Sequence, residues 1–272
     1  MTNAVRAAWL ALAVIPDALH AAGASAISTW VVWVAWALVA LSVLLAHPLS
    51  LTTARFVAPL LVVHSAWELA DAGSATSWGA VVGFIVIVAV TATLFSSTYG
   101  ATHAQAAAYG HERRHLLRPP VSVILPVVLL WILVAASAAV AVHATSLIVA
   151  SVSTAVLVVL LGFSLRRGVV LARRWLVFVP AGIAVHDPLV LRDTFMVRSH
   201  DIRALQRATD GTEAFDATCT TWGVPLELVL SHPHDVSLSQ FGARVSRTLD
   251  RLHVTSLLVA PSRPNDALAQ RA

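Results

Sequence analysis

The chain has 272 residues, 58% of them hydrophobic and only 12% charged, with a mean hydropathy of +0.78 and a formal net charge of +4. A water-soluble globular domain is about 45–50% apolar and about 25% charged, so this balance belongs to a chain solvated largely by lipid. All 18 basic residues are arginine, which excludes Schiff-base chemistry, a phosphate-loop lysine and a lysine general base.

A lipid-core span needs about 20 mostly apolar residues. Residues 5–22 (VRAAWLALAVIPDALHAA) are the first candidate, interrupted by Pro16 and Asp17. Residues 1–24 also read as a signal peptide, with Arg6, a short apolar stretch and Ala22-Gly23-Ala24 fitting an A-x-A cleavage rule. The uncleaved helix is preferred because the apolar stretch runs past Pro16. Five stronger runs follow, at 27–46, 52–72, 78–96, 121–142 and 145–165.

Arg6, Arg55, Arg113, Arg114, Arg118, Arg166, Arg167, Arg173 and Arg174 all sit at or just beyond the ends of these runs. Placing the loop 97–120 inside puts every one of them on one side. The opposite connections, near 22–26, 73–77 and 143–145, carry no arginine. This positive-inside pattern predicts a multi-pass protein of the cytoplasmic membrane with six spans and both termini in the cytosol.

Ionisable residues inside spans are costly and mark function more often than not. In LLVVHSAWELADAG, His64, Glu68 and Asp71 stand at i, i+4 and i+7, on one helical face. Asp17 and His20 on the first segment lie at a similar depth. Together these five form a candidate cluster for a divalent metal, a cationic ligand or a proton relay. The plainer alternative is that Glu68 and Asp71 lie within a turn of the water interface and simply end a helix. No HExxH order occurs, which argues against a two-histidine zinc protease. Trp30, Trp33 and Trp36 make a helical stripe explained by packing and interface anchoring.

The arginines of the loop at 109–120, and the pairs Arg166-Arg167 and Arg173-Arg174, are candidates for contact with anionic headgroups or for docking onto the tail. Pure topogenesis is the competing explanation.

Beyond residue 170 the pattern changes. Trp175–Val179, Gly182–His186, 194–197, 225–230 and 254–260 read as strands separated by turn signals, and 239–252 reads as a helix. The expected architecture is therefore a membrane helical bundle over 1–170 and a small cytoplasmic β-rich (α+β) domain over 171–272. In the tail, His232-Pro233-His234-Asp235 reads as an exposed turn without a third ligand group. Cys219, the lone cysteine, excludes an intrachain disulfide and thiolate metal sites, and reads as a small core residue. No nucleophile is set against a base, and no basic groove interleaved with aromatics speaks for nucleic acid.

Residues 174–205, a basic aromatic strand, a glycine turn, two further strands and Ile202-Arg203-Ala204-Leu205, resemble the opening of bacterial PH-like domains. The alanine- and valine-rich, lysine-free chain as a whole resembles actinobacterial polytopic membrane proteins. The resemblance implies a PH-like tail following membrane spans. The expected role is non-enzymatic: a scaffold, regulator or partner-binding protein, with the lipid bilayer, anionic headgroups and another membrane or cytoplasmic protein as partners and no resident cofactor. The alternative is a small transporter or a metal- or proton-coupled permease using His64, Glu68 and Asp71. An intramembrane lipid enzyme lacks a recognisable catalytic set.

Overall fold

The computed structural model describes residues 2–19 and 26–270, with the backbone alone for Ala26, Ile27 and Ser74. The chain divides into two compact units: Met1–His103 with Leu129–Gly168, and Ala104–Val128 with Val169–Ala272.

The first unit is helical. It holds α1 (Thr2–Ala11), α2 (Ala26–Leu44), α3 (Pro48–Ala72), α4 (Trp78–Phe95) and the start of α5 (Ser97–Ala106), with most of α6 (Val121–His143) and α7 (Leu147–Ala172). The breaks between helices have local causes. His47 caps α3 by accepting from the Leu49 N–H at 3.1 Å, and Pro48 follows at a position where its missing N–H costs nothing. Gly73, at φ 50°, ends α3, and Ser77 caps α4 by accepting from the Ala80 N–H. Among the described residues four helices, α3, α4, α6 and α7, are long and apolar enough to cross a membrane. The described stretch of α2, Ser28–Leu44, is equally apolar and shorter. Large side chains such as Leu129, Leu133, Val158 and Phe163 are exposed along α6 and α7, a surface that water does not tolerate at this extent.

The expected first span is not a continuous helix. Helix α1 stops at Ala11, and its 10 residues rise only about 15 Å against a hydrocarbon core of about 30 Å. Pro16 has no N–H to continue the ladder, and Asp17 turns left-handed at φ 58°. Non-helical backbone is tolerated at membrane depth only when protein covers it, and α4 supplies the cover. A Cβ at Gly79 would lie 1.8 Å from the Pro16 carbonyl oxygen, and one at Gly83 would lie 2.3 Å from that of Ala18. The spacing of these glycines lets backbone meet backbone.

Two arginines fasten helix ends. Arg6 donates through Nε to the Val43 carbonyl at 2.9 Å and through Nη2 to Leu44 at 3.1 Å, at the end of α2. Arg55 donates through Nε to the Leu94 carbonyl at 2.7 Å, at the end of α4. Both satisfy carbonyls that a helix end leaves without partners. Trp9 and Trp36 exchange indole hydrogen bonds with each other's carbonyls, both at 3.0 Å, locking α1 to α2. Trp131 of α6 donates to the Phe56 carbonyl of α3 at 3.0 Å.

The second unit is two four-stranded sheets. The first runs β1 (Arg113–Leu116), β2 (Trp175–Val179), β3 (Gly182–His186), β4 (Phe195–Arg198), all antiparallel. The second has the order β5 (Ile202–Arg207), β7 (Leu226–Ser237), β8 (Arg251–Val259), β6 (Phe215–Asp216), with β6 parallel to β8 and the other pairs antiparallel. Alternating inward residues such as Leu176, Val185, Val197, Leu226, Leu228 and Leu257 make one core. The strands expected at 175–179, 182–186, 194–197, 225–230 and 254–260 are present, the last two longer than anticipated. The expected helix at 239–252 is cut short. Helix α8 is Gln240–Val245, Arg247 turns left-handed at φ 50°, and Leu252 belongs to β8. A final short helix, α9, is Pro264–Ala269.

Strands β5 and β6 were not among those expected, and neither was β1. Strand β1 comes from the loop between α5 and α6 and pairs along its whole length with β2, Arg113 opposite Phe178 and Leu116 opposite Trp175. A buried ion pair completes the join. Arg174 grips Asp187 with two hydrogen bonds of 2.7 Å and donates a third, of 2.9 Å, to the Arg118 carbonyl. Both side chains are 1% exposed. Asp187 also accepts from the backbone N–H groups of Leu189 and Val190. Removing one member of such a pair strands a charge in the core, at a cost of about 3–5 kcal/mol. Asp187→Ala is therefore expected to destabilise this unit by about that much, measured by denaturant unfolding of the full chain in detergent. A loss under about 1 kcal/mol, the range of exposed pairs, would show the pair to be dispensable.

Candidate functional site

The intramembrane cluster expected from the sequence is partly assembled. A cavity of about 320 Å³ in the helical unit is lined by Asp17, Ser65, Glu68, Asp71 and Thr76, among others. Segment 12–19, pressed onto α4 at Gly79 and Gly83, carries Asp17 into it. Helix α3 supplies Glu68 and Asp71, and the turn before α4 supplies Thr76 and Ser77. His64 is not among the lining residues. Its Nε2 lies 4.0 Å from Glu68 Oε1, one turn along the same helix. His20 lies outside the described residues. Three carboxylates around one cavity would draw a cation. Their oxygens do not converge as a metal shell does: among the described residues, only Asp201, His232 and His234 bring three ligand atoms within 4.8 Å of one another.

The arginines sort into two groups. Arg113, Arg166, Arg167 and Arg173 are exposed. The others are engaged within the protein. Arg114 forms a 2.7 Å ion pair with Glu112, whose carboxyl this hydrogen bond holds below the usual range, and lies 4.9 Å over the Trp175 ring. Trp175 in turn stacks on His186 at 5.4 Å. Arg118 donates to the Trp222 carbonyl. Arg174 must be corrected outright: it faces neither lipid nor partner, because its guanidinium is consumed by Asp187 and the Arg118 carbonyl in the core.

In the β unit, burial lowers the pKa values of His115 and His186, with Asp187 opposing the shift at His186. Both imidazoles are therefore neutral at pH 7. His115 packs edge-on against Phe178 at 5.5 Å. An open depression of about 490 Å³ runs past Asp216, Cys219, Thr220, Ser246 and His253. Its one thiol is masked. Cys219 is 3% exposed, and burial, helped by the charges of Asp216 and Asp187, pushes its thiol up to about 11. The turn around it is held by Asp216, which accepts from the N–H and hydroxyl of Thr218 at 2.8 and 2.6 Å.

His232-Pro233-His234-Asp235 is not a turn. It lies within β7, and strand alternation separates its members. Asp235 pairs with His253 across the sheet, while His232 and His234 share the other face with rings 4.7 Å apart. Asp201, from the 3₁₀ turn Ser199–Asp201, joins them. Its position next to a His-x-His strand was invisible without the pairing of Ile202 with Leu230.

No protein-family model, curated protein or solved structure matches this chain.

Two outcomes follow. Gly83→Val places a branched side chain on the Ala18 backbone and is expected to lower stability by about 1–3 kcal/mol, read as a drop in the unfolding midpoint in detergent. An unchanged midpoint would mean that segment 12–19 does not rest on α4. Cys219, with a thiol near 11, holds about one thiolate in a thousand at pH 8. Iodoacetamide should label it only after denaturation, as counted by intact-mass spectrometry; rapid labelling of the folded chain would contradict its burial.

Proposed function

We propose that this is a non-enzymatic scaffold or partner-binding protein of the cytoplasmic membrane, in which the helical unit anchors a β unit that presents the binding surface. The observation that carries this reading is the β1–β2 pair. The β unit is continuous with the helical unit at 103/104, 128/129 and 168/169, so it does not hang from one flexible tether. Three connections keep its effective concentration at the bilayer high.

Strand pairing also supports the expected topology by parity. Strands β1 and β2 share a sheet and so lie on one side of a bilayer, and the chain between them contains two helices long enough to span, α6 and α7. Two crossings return the chain to its starting side. Only the short α5 separates β1 from the end of α4, where Arg55 also sits. The arginine-rich side is the cytosolic one under the positive-inside rule. Exposed Arg113, Arg166, Arg167 and Arg173 are then available to anionic headgroups, each gaining roughly 1 kcal/mol near such a surface. The two sheets followed by α9 support a PH-like reading of the β unit, while the parallel strand β6 and the imported strand β1 are departures from the expected strand series.

The cavity holding Asp17, Glu68 and Asp71 favours a second reading, a small cation- or proton-coupled permease. The two separate cleanly. Under the scaffold reading, Arg113→Glu with Arg173→Glu removes co-purifying proteins or anionic lipids from full-length protein captured out of native membrane. Glu68→Gln with Asp71→Asn leaves that set unchanged. The permease reading expects the carboxamide pair to abolish cation or proton flux in reconstituted vesicles at unchanged expression. A reporter fused after Ala272 that is active only on the outer face would overturn the topology on which both rest.

A further inference from the structure

We infer that Asp201, His232 and His234 form a binding site for a divalent first-row transition metal of the zinc class. The backbone builds the site. Strand β7 pairs with β8 up to Val229 and again from His234, with a register shift between. Pro233 falls in this interval, where its missing N–H is not needed by the ladder. The bulge re-aims the side chains beside it. His232 and His234, two residues apart on a strand, project from one face with rings stacked at 26°. The antiparallel pairing of Ile202 with Leu230 sets Asp201 beside them.

The atoms fit a metal shell. The three ligand atoms lie within 4.8 Å of one another, and Asp201 Oδ1 is 3.5 Å from His232 Nε2. Ligand atoms around a tetrahedral zinc are roughly 3.4 Å apart, from bond lengths of about 2.0–2.1 Å. The same 3.5 Å is long for a charge-assisted hydrogen bond, which is about 2.7–2.9 Å. His234 adds an independent sign. Its Nε2 is buried without a hydrogen-bond partner among the described residues, and its ring is held edge-on to Phe195 at 6.3 Å. A buried imidazole nitrogen without a partner is costly unless something binds it. Two imidazoles and one carboxylate suit a borderline dication and not calcium or magnesium, which take oxygen shells. The His232 side chain is 56% exposed, so the outer side of the metal stays open to water or an external ligand. His200 approaches the same carboxylate oxygen at 3.5 Å from the exposed flank.

The position gives the metal a structural role. Phe195 belongs to β4 of the first sheet, Asp201 lies at the passage from β4 to β5, and both histidines belong to the second sheet. A bound ion pins the junction between the sheets, so it stabilises the β unit by mass action. The site does not depend on the scaffold reading.

The test uses full-length protein purified in detergent without a histidine tag, stripped with chelator and titrated with zinc chloride. The expected result is one saturable zinc per chain and a rise in the unfolding midpoint. His232→Ala and Asp201→Asn should each weaken zinc binding at least about tenfold and abolish the rise, while their midpoints in chelator stay at the parent value. His253→Ala, which alters another exposed histidine–aspartate pair, should change neither. The inference is overturned if the parent chain takes up no saturable zinc, or if His232→Ala and Asp201→Asn bind it as the parent does. It is also overturned if His253→Ala loses as much as they do.

Discussion

Backbone carbonyls that no other backbone can satisfy are met in this protein by arginine. Helix ends leave four carbonyls each without an intrahelical partner, and water is scarce around an apolar bundle. Arg6 serves the end of α2, Arg55 the end of α4, Arg174 the carbonyl of Arg118, and Arg118 that of Trp222. A guanidinium suits this work because its five donors are fixed in a plane and its charge survives burial, whereas an ammonium is more strongly hydrated and loses its proton more readily. Arginines that sit at the ends of the apolar runs therefore also close joints within the chain. A guanidinium counted as surface charge from its position in the sequence can be wholly internal, as Arg174 is.

Much of the fold was legible. Helices α2, α4, α6 and α7 lie within a few residues of the apolar runs, except that α7 continues past Arg166-Arg167 to Ala172. Strands β2 and β3 were read from alternation and the turn at Ala181-Gly182. The failures are all tertiary. Hydropathy over 5–22 could not show that α1 stops at Ala11, since the covering glycines lie on α4. Arg113-Arg114-His115-Leu116 carries no strand signal of its own. It becomes β1 because Trp175–Val179 offers an open edge and Trp175 takes the Arg114 guanidinium on its face. Helical spacing at 239–252 was genuine for one and a half turns and then lost to the left-handed Arg247.

The candidate sites follow the same division. Glu68 and Asp71 share a helix face by arithmetic alone, so their meeting could be read from sequence, and Asp17 was placed by depth. The histidine pair of β7 was visible but misjudged, because the third member sits on a neighbouring strand's approach and local sequence carries no pairing register. Cys219 is the reverse case. Its environment of apolar contacts and nearby carboxylates makes it inert, which its isolation in the sequence already implied.

The insertion of β1 into the first sheet is also a long-range closure. Residues 113–116 and 175–179 are separated by the whole α6–α7 hairpin, so the loop that closes when they pair is long and its entropy unfavourable. The pairing of β1 with β2 makes that closure. Without it, β2 presents a bare edge, and bare edges invite pairing with other chains. Arg114 on β1 and Trp175 on β2 reinforce the closure, and Arg174, one residue before β2, locks it by reaching both Asp187 and the carbonyl of Arg118. The first sheet is thus completed by a segment that precedes α6 in the chain.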